Sequence, residues 1–220
     1  MSDRPIIFSA PMVRALLDDR KTQTRRVLKP QPGPFDALFS EAGRWWTGDA
    51  ETGEVEEVLR IPYAIGDRLW VREAFSYETL DVDRCGFMPP WYWADGNPAS
   101  GDFTRPKPSI HMPRWASRLT LLVTDVRVQR LHEISDEDAN AEGAAHCDIC
   151  NDVGWLNNNP DGGEECGCCG GGSYRDEFRD LWNSIHGPGA WAENPWVAAI
   201  SFDVKRGNID TPTGGTNDRD

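Results

Sequence analysis

The sequence predicts an α+β fold built on a small β-barrel, in a chain of 220 residues. Several short stretches alternate apolar and polar side chains, as strands do, and few helical stretches separate them. That order favours a small barrel over a parallel sheet, because parallel strands need long crossover connections. With 39% hydrophobic and 27% charged residues, the chain can bury one sizeable core, or one core with a small satellite module.

The first predicted elements are a short strand and an amphipathic helix. Residues 5–8 form an apolar run (PIIF) that predicts a buried strand. A helix is predicted over residues 10–19, because Ser9 can cap it and apolar residues recur at helical spacing. Its inward stripe consists of Val13, Leu16 and Leu17.

The sequence RKTQTRR at residues 20–26 is the strongest chemical signal near the N-terminus. It places a lysine, two threonines and three arginines where the chain turns from the helix into a strand. Alternation sends Lys21, Gln23 and Arg25 to one face of an extended segment and Thr24 to the other. If the turn persists as far as Lys21, however, its amine can reach the Thr24 hydroxyl. Such a segment can bind an anion, or it can be a solvated basic turn.

Residues 30–60 are predicted to be an insertion, which begins in a loop rich in proline and glycine. The adjacent tryptophans Trp45 and Trp46 suggest a small hairpin over the body of the fold. After the insertion, a turn leads into a strand over residues 68–72, with Trp70 and Arg72 on its functional face.

The remaining elements complete the predicted order. They are a long strand from Leu119, a short acidic helix capped by Ser135, a helix over residues 173–185 and a strand over residues 195–204. Residues 207–220 are polar and rich in glycine, so we expect a disordered tail there.

Two Cys-x-x-Cys pairs, separated by fifteen residues, have the spacing of a structural zinc knuckle within a module at residues 145–172. The predicted ligands are Cys147, Cys150, Cys166 and Cys169. Four thiolates would close the coordination sphere, so zinc is assigned to structure, and no organic cofactor is expected. Disulfides and a metal-free loop are the alternatives. Cys168 or His146 could replace one ligand.

The formal net charge of −13 opposes tight non-specific binding to long nucleic acid, whose affinity comes largely from phosphate neutralisation. The charge is uneven, because residues 20–26 and 105–118 are basic and residues 49–57 and 133–142 are acidic. A small anionic or nucleoside ligand suits this pattern better than a duplex. No apolar run approaches the roughly 20 residues of a membrane span, and no secretion signal opens the chain. A cytoplasmic location without a membrane partner is therefore expected.

Taken together, these motifs resemble the ASCH family of PUA-like β-barrels. The matching segments are RKTQTRR, GDRLWV at residues 66–71, the acidic helix at residues 135–142 and the closing strand at residues 196–202. Three further segments are similar to the ASCH proteins of tailed phages and prophages: FSAPM, HMPRWASR and NPWV. The resemblance implies one domain over residues 4–206, in the cytoplasm of a phage-infected or lysogenic bacterial host.

The resemblance also implies that the cleft of the barrel binds RNA or a modified nucleoside or nucleotide. One branch of the family consists of acetylcytidine amidohydrolases, whose Lys-Thr-x-Thr turn and later glutamate match Lys21, Thr24 and Glu142. There Thr24 would act as nucleophile or position a water, Lys21 would be the base, and Glu142 would hold the lysine or carry the proton. A salt bridge between Lys21 and Glu142 is the structural alternative. Glu137 and Asp138 compete for the carboxylate role.

Aromatic and basic side chains are expected to recognise the ligand. Trp70, Tyr92 or Trp93 could stack on a base, a contact worth about 1–3 kcal/mol, while Arg25, Arg72 or Arg114 could meet phosphate or a base edge. Packing in the core or at its rim is the alternative for the tryptophans. Binding is slightly favoured over hydrolysis. A third possibility is a phage accessory protein that binds a host protein through its acidic surface and Trp-rich insertion.

Overall fold

The computed structural model describes residues 1–35, 37–78, 90–144 and 173–211. In these ranges the chain has an α+β fold, as predicted. The strands are β1 (Asp3–Ile7), β2 (Gln23–Val27), β3 (Ala37–Glu41), β4 (Arg44–Gly48), β5 (Val55–Leu59), β6 (Arg68–Arg72), β7 (Phe75–Ser76), β8 (Trp91–Tyr92), β9 (Leu119–Arg130) and β10 (Trp196–Arg206), and the α-helices are α1 (Ala10–Leu17), α2 (Asp136–Ala141) and α3 (Tyr174–His186). No helix within the described ranges has both the length and the apolar character that crossing a membrane requires.

Residue contacts divide the chain into two compact units. Unit 1 draws on Met1–Asp19, Gly66–Thr124 and Phe202–Asp220, and unit 2 draws on Arg20–Ile65 and Asp125–Ser201. The main sheet has the strand order β1-β6-β9-β10-β2, and β9 and β10 contribute residues to both units. Among the described strands, β1 and β2 are the ends of this order. The small PUA-like barrel stays a prediction.

In unit 1, β1 lies parallel to β6, and β6 lies antiparallel to β9. Helix α1 buries Val13 and Leu16 as predicted, but it ends at Leu17 because Asp19 takes a left-handed conformation with φ of 57°. Strand β6 is covered more completely than its alternation predicts, since the Trp70 side chain is buried along with its apolar neighbours.

The described part of the predicted disordered tail is structured. Residues 207–211 pack in unit 1, where Ile209 is buried. The Asn208 side chain donates hydrogen bonds to the carbonyl oxygens of Arg114 and Ser117, at 2.7 and 2.9 Å. These bonds fix a polar segment that its composition alone would leave unstructured. The rest of the predicted tail, from residue 212, lies outside the described residues.

In unit 2, β2 pairs antiparallel with β10, and Thr24 lies opposite Ile200. The side chains of Ser135 and Ser173 accept hydrogen bonds at the starts of α2 and α3, which confirms both predicted helix starts. The two helices share a hydrophobic cluster with the sheet. Its buried members are Leu131, Ile134, Ala139, Phe178, Trp182, Ala190 and Val197.

The inserted segment forms the three-stranded antiparallel sheet β3-β4-β5 in unit 2. It was predicted as a small hairpin around the tryptophan pair, but residues 55–59 add a third strand by pairing with β4, with Leu59 opposite Trp45. Adjacent strand residues face opposite ways. Trp46 stacks on Phe39, with 6.0 Å between ring centroids, and Trp45 therefore faces the other side of this sheet.

Candidate functional site

Lys21 and Glu142 form a buried ion pair in unit 2. Lys21 Nζ lies 2.8 Å from Glu142 Oε2, and the two backbones form an antiparallel bridge. Lys21 Nζ also donates to the carbonyl oxygens of Gln23 at 2.8 Å and Glu142 at 2.6 Å. The structure thus brings together two of the three residues that the sequence singled out for catalysis.

Burial and hydrogen bonding act in opposite directions on the Lys21 amine. The residue is only 1% exposed. Burial holds the pKa of Lys21 below its ordinary value, and the charge of Glu142 and its hydrogen bond offset only part of that effect. Three oxygen atoms surround Nζ and match the three donors of an ammonium group, whereas a neutral amine would turn its lone pair toward one of them. These contacts favour the charged form and tie the turn before β2 to the end of α2.

Arg25 extends the ion pair into a larger network. Its Nη1 donates to Glu142 Oε1 at 3.0 Å and to Gln23 Oε1 at 2.6 Å, and its Nη2 donates to Asp138 Oδ2 at 2.8 Å. Arg127 Nη2 donates to the same Asp138 carboxylate. We call this set the buried ionic network after its buried members Lys21, Gln23, Arg25 and Glu142; Asp138 and Arg127, which are partly exposed, complete it at its edge. Arg25, predicted to bind ligand, is buried and engaged with two carboxylates here.

Thr24 lies on the other face of β2. Strand β2 begins at Gln23, so the turn ends before Thr24 and strand alternation applies. Arg25 points to the network, and Thr24 therefore points to the opposite face, where it is 3% exposed. The structure does not bring the Thr24 side chain to Lys21 and Glu142. The catalytic roles of the three residues stay a prediction.

Asp138 gives the network a dependence on acid. Burial raises the pKa of Asp138, but hydrogen bonds from Arg127 and Gln23 and the charge of Arg25 outweigh burial, so the pKa lies below the ordinary 3.8. A carboxylate with a lowered folded-state pKa contributes stability that is present above the unfolded pKa and is lost as the pH falls through the folded pKa. We expect urea unfolding to show a steeper loss of stability below about pH 4 in the parent protein than in Asp138→Asn.

Glu137→Gln is the matched control for that comparison, because Glu137 is exposed on the same helix. It should follow the parent protein across the whole pH range. Equal acid dependence in the parent and in Asp138→Asn would contradict the prediction.

A groove of about 610 Å³ opens in unit 2. Its described lining comes from residues 26–29 at the end of β2, from residues 43–45 of the insertion, from residues 58–63 at and just after the end of the insertion, and from Ala198. Ala198 pairs with Arg26 in the sheet, so the groove lies on the Thr24 face of β2, away from the buried ionic network. Its polar and aromatic lining residues are Arg26, Lys29, Arg44, Trp45, Arg60 and Tyr63.

The groove concentrates positive charge in an acidic protein. Four of its described lining residues are cationic and none is a carboxylate, although the chain carries a net charge of −13. Lys29, Arg44 and Arg60 are exposed and form no ion pair with any residue the structure describes. Burial, and after it the charges of Arg26 and Lys29, lower the pKa of His186 at the end of α3. The positive field of the groove thus extends to that helix end.

The two tryptophans predicted to stack on a base belong to unit 1. Trp93 Nε1 donates to the Ser76 hydroxyl at 2.8 Å. The guanidinium carbon of Arg72 lies 5.3 Å from the centre of the buried Trp70 ring. Both tryptophans are therefore engaged by neighbours within unit 1, and their ligand role stays a prediction.

The two arginines predicted alongside them are also engaged in unit 1. Arg72 Nη2 donates to the Ile110 carbonyl oxygen. Arg114 Nη2 lies 2.6 Å from a carboxylate oxygen of Asp3 and 2.6 Å from one of Asp210. Arg114 therefore links Asp3 of β1 to Asp210, which follows β10, and its charge stabilises the fold of unit 1.

Sequence reasoning missed the residues of the groove. They come from separate stretches of the chain, and the insertion was assigned a covering role or, as a third possibility, a role in binding a host protein. One signal could have found two of them: Arg44 and Arg60 flank an otherwise acidic segment, and Arg44 precedes Trp45 directly.

The predicted zinc module lies outside the described residues. This applies to Cys147, Cys150, Cys166 and Cys169, and equally to Cys168 and His146. Within the ranges that the structure does describe, no group of three or more His, Cys, Asp or Glu side chains is arranged to hold a metal ion. The structural zinc site stays a prediction.

Comparisons of the chain with protein-family models, with curated proteins and with solved structures found no match.

Proposed function

We propose that this protein binds RNA or a modified nucleoside or nucleotide, and that the ligand lies in the groove of unit 2. One observation carries the proposal: four cationic and two aromatic side chains line one groove of about 610 Å³. Guanidinium and ammonium groups match phosphate oxygens, and aromatic rings offer bases a stacking surface. The resemblance to PUA-like RNA-binding barrels, which remains part of the proposal, points to the same ligand class.

The groove suits a ligand of nucleotide size. Pockets for small molecules have volumes of about 300–1,000 Å³, and this groove falls in that range. Trp45 and Tyr63 are partly exposed, and Arg44 and Arg60 are exposed. Both kinds of contact, to base and to phosphate, are therefore accessible from solvent.

Hydrolysis of an acylated nucleoside is the second candidate function, and the 2.8 Å contact between Lys21 and Glu142 favours it. That reaction needs a deprotonated base beside a nucleophile that the substrate can reach. Lys21 instead meets three acceptors, and Thr24 lies on the opposite strand face. Lys21, Thr24 and Glu142 are each at most 3% exposed. These observations favour ligand binding over hydrolysis.

Substitutions in the groove test the proposal. Arg44→Ala and Arg60→Ala should each weaken binding of a fluorescein-labelled RNA oligonucleotide about tenfold, measured by fluorescence anisotropy at low salt. The reason is that a hydrogen bond to a charged group contributes about 1.5–3 kcal/mol, and about 1.4 kcal/mol corresponds to a tenfold change in affinity.

Arg105→Ala is the matched control, because it removes an exposed arginine of unit 1. It should bind like the parent protein. Undiminished binding by both groove variants would contradict the assignment of the groove, and absence of binding by the parent would contradict the proposed function. Release of cytidine from acetylated cytidine by the parent protein would support the second candidate instead.

A further inference from the structure

We infer that the groove of unit 2 takes a short single-stranded segment of nucleic acid, in preference to a nucleoside monophosphate or a duplex. This inference rests on the proposed function and names its ligand class. Two parts of unit 2 each contribute two cations. Arg26 lies in β2 and Lys29 just after it, and Arg44 and Arg60 belong to the insertion. A nucleoside monophosphate carries one phosphate, whereas a strand presents one at every nucleotide. Four cations from two segments therefore fit several phosphates in succession.

The aromatic residues of the groove favour unpaired bases. Trp45 and Tyr63 line the groove beside the cations. A base in a single strand can leave its neighbours and stack on a side chain, but a base in a duplex is already stacked on both faces. Stacking tolerates any base, so this contact predicts little sequence preference.

The charge of the whole chain disfavours a duplex. Duplex DNA carries one negative charge for about every 1.7 Å of its axis, and the protein has a net charge of −13. A single strand can bend so that only a few phosphates meet the groove. Glu57 borders a smaller pocket of about 60 Å³ that shares Leu28, Val58, Leu59 and Arg60 with the groove. A phosphate on that side would meet a carboxylate, so we expect the strand to leave the groove away from Glu57.

Salt dependence of binding measures the number of phosphates engaged. For single strands the logarithm of the association constant falls with the logarithm of the salt concentration, with a slope of about −0.7 for each phosphate neutralised. Four such contacts give a slope of about −2.8, so affinity for an RNA strand of about ten nucleotides should fall about 50-fold between about 50 and 200 mM salt. In the double variant Arg44→Ala/Arg60→Ala the slope should be about −1.4, and the loss about sevenfold.

Trp45→Leu tests the stacking contact separately. It should weaken binding of the same strand at least about fivefold while leaving the salt slope unchanged, because stacking carries no charge. Trp46→Leu is the matched control, since Trp46 faces the other side of the inserted sheet and stacks on Phe39. The control should bind like the parent protein, with circular dichroism used to verify that both variants are folded.

The ligand series separates failure of this inference from failure of the proposed function. If a nucleoside monophosphate or an RNA duplex of the same sequence binds as tightly as the strand, the single-strand inference is overturned and the proposed function stands. If strand, duplex, nucleotide and nucleoside all fail to bind, both are overturned. If a polyglutamate peptide of equal charge binds as tightly as the strand, the groove attracts anions in general, and both are again overturned.

Discussion

Glu142→Ala should lower the free energy of unfolding by about 3–5 kcal/mol, because removing one partner of a buried ion pair leaves an uncompensated charge. Glu142 serves two cations at once: Oε2 meets Lys21 Nζ at 2.8 Å and Oε1 meets Arg25 Nη1 at 3.0 Å. Both cations are buried, so water cannot replace the carboxylate without opening the site. Urea unfolding, followed by circular dichroism at neutral pH, measures the loss.

Two variants make this prediction specific. Glu137→Ala removes an exposed carboxylate from the same helix and should change stability by no more than about 0.5 kcal/mol. The double variant Lys21→Met/Glu142→Leu also removes the charge of Lys21 and should lose less stability than Glu142→Ala alone, since only Arg25 then loses a buried carboxylate partner, and Arg25 keeps its contact with Asp138. A double variant that is less stable than the single one would show that the pair itself, and not the unpaired charge, sets the cost.

Phe178→Ala should lower the free energy of unfolding by a similar amount, about 3–5 kcal/mol, through loss of buried apolar surface and the cavity that remains. Phe178 is buried in the core cluster of unit 2. Its ring centroid lies 5.9 Å from that of Trp182 and 6.2 Å from that of Trp191, and 5.9 Å from the guanidinium carbon of Arg25. The ring therefore helps to shield the buried ionic network, and its removal should admit water there. Urea unfolding again gives the magnitude.

Two further substitutions on α3 separate the effect of side-chain volume at residue 178 from the effect of its buried position. Phe178→Leu keeps an apolar side chain and should cost about half as much or less. Ile185→Ala removes a side chain that is mostly exposed and should change stability by about 0.5 kcal/mol or less. Equal losses for Phe178→Ala and Ile185→Ala would contradict the assignment of Phe178 to the core.

The sequence predicts the helices of unit 2 well because their signals are local. The side chains of Ser135 and Ser173 each accept a hydrogen bond from the backbone N–H group three residues later. Phe178 and Trp182 recur at helical spacing. The pairing of Lys21 with Glu142 spans 121 residues. No local pattern could reveal it, and it was expected only through the resemblance to ASCH proteins.

Other features depend on tertiary pairing and were missed. The third strand of the insertion exists because Leu59 pairs with Trp45, although residues 55–59 carry acidic side chains that lower the expected strand content. Residues 207–211 are fixed by the Asn208 side chain on the carbonyl oxygens of Arg114 and Ser117. The groove gathers residues from four stretches of unit 2, so its charge cannot be read from any single window of sequence.

Two adjacent arginines of strand β2 lie in opposite environments. Arg25 lies on the buried face of the strand, where it pairs with carboxylates, and Arg26 lies on the face that lines the open groove. Sliding β2 by one residue along β10 would exchange the two side chains, burying Arg26 and withdrawing Arg25 from both carboxylates. The length of the turn before β2 is therefore constrained by the placement of Arg25 and by the placement of Arg26. Gain or loss of one residue there would disturb the ionic network and the cationic lining of the groove together.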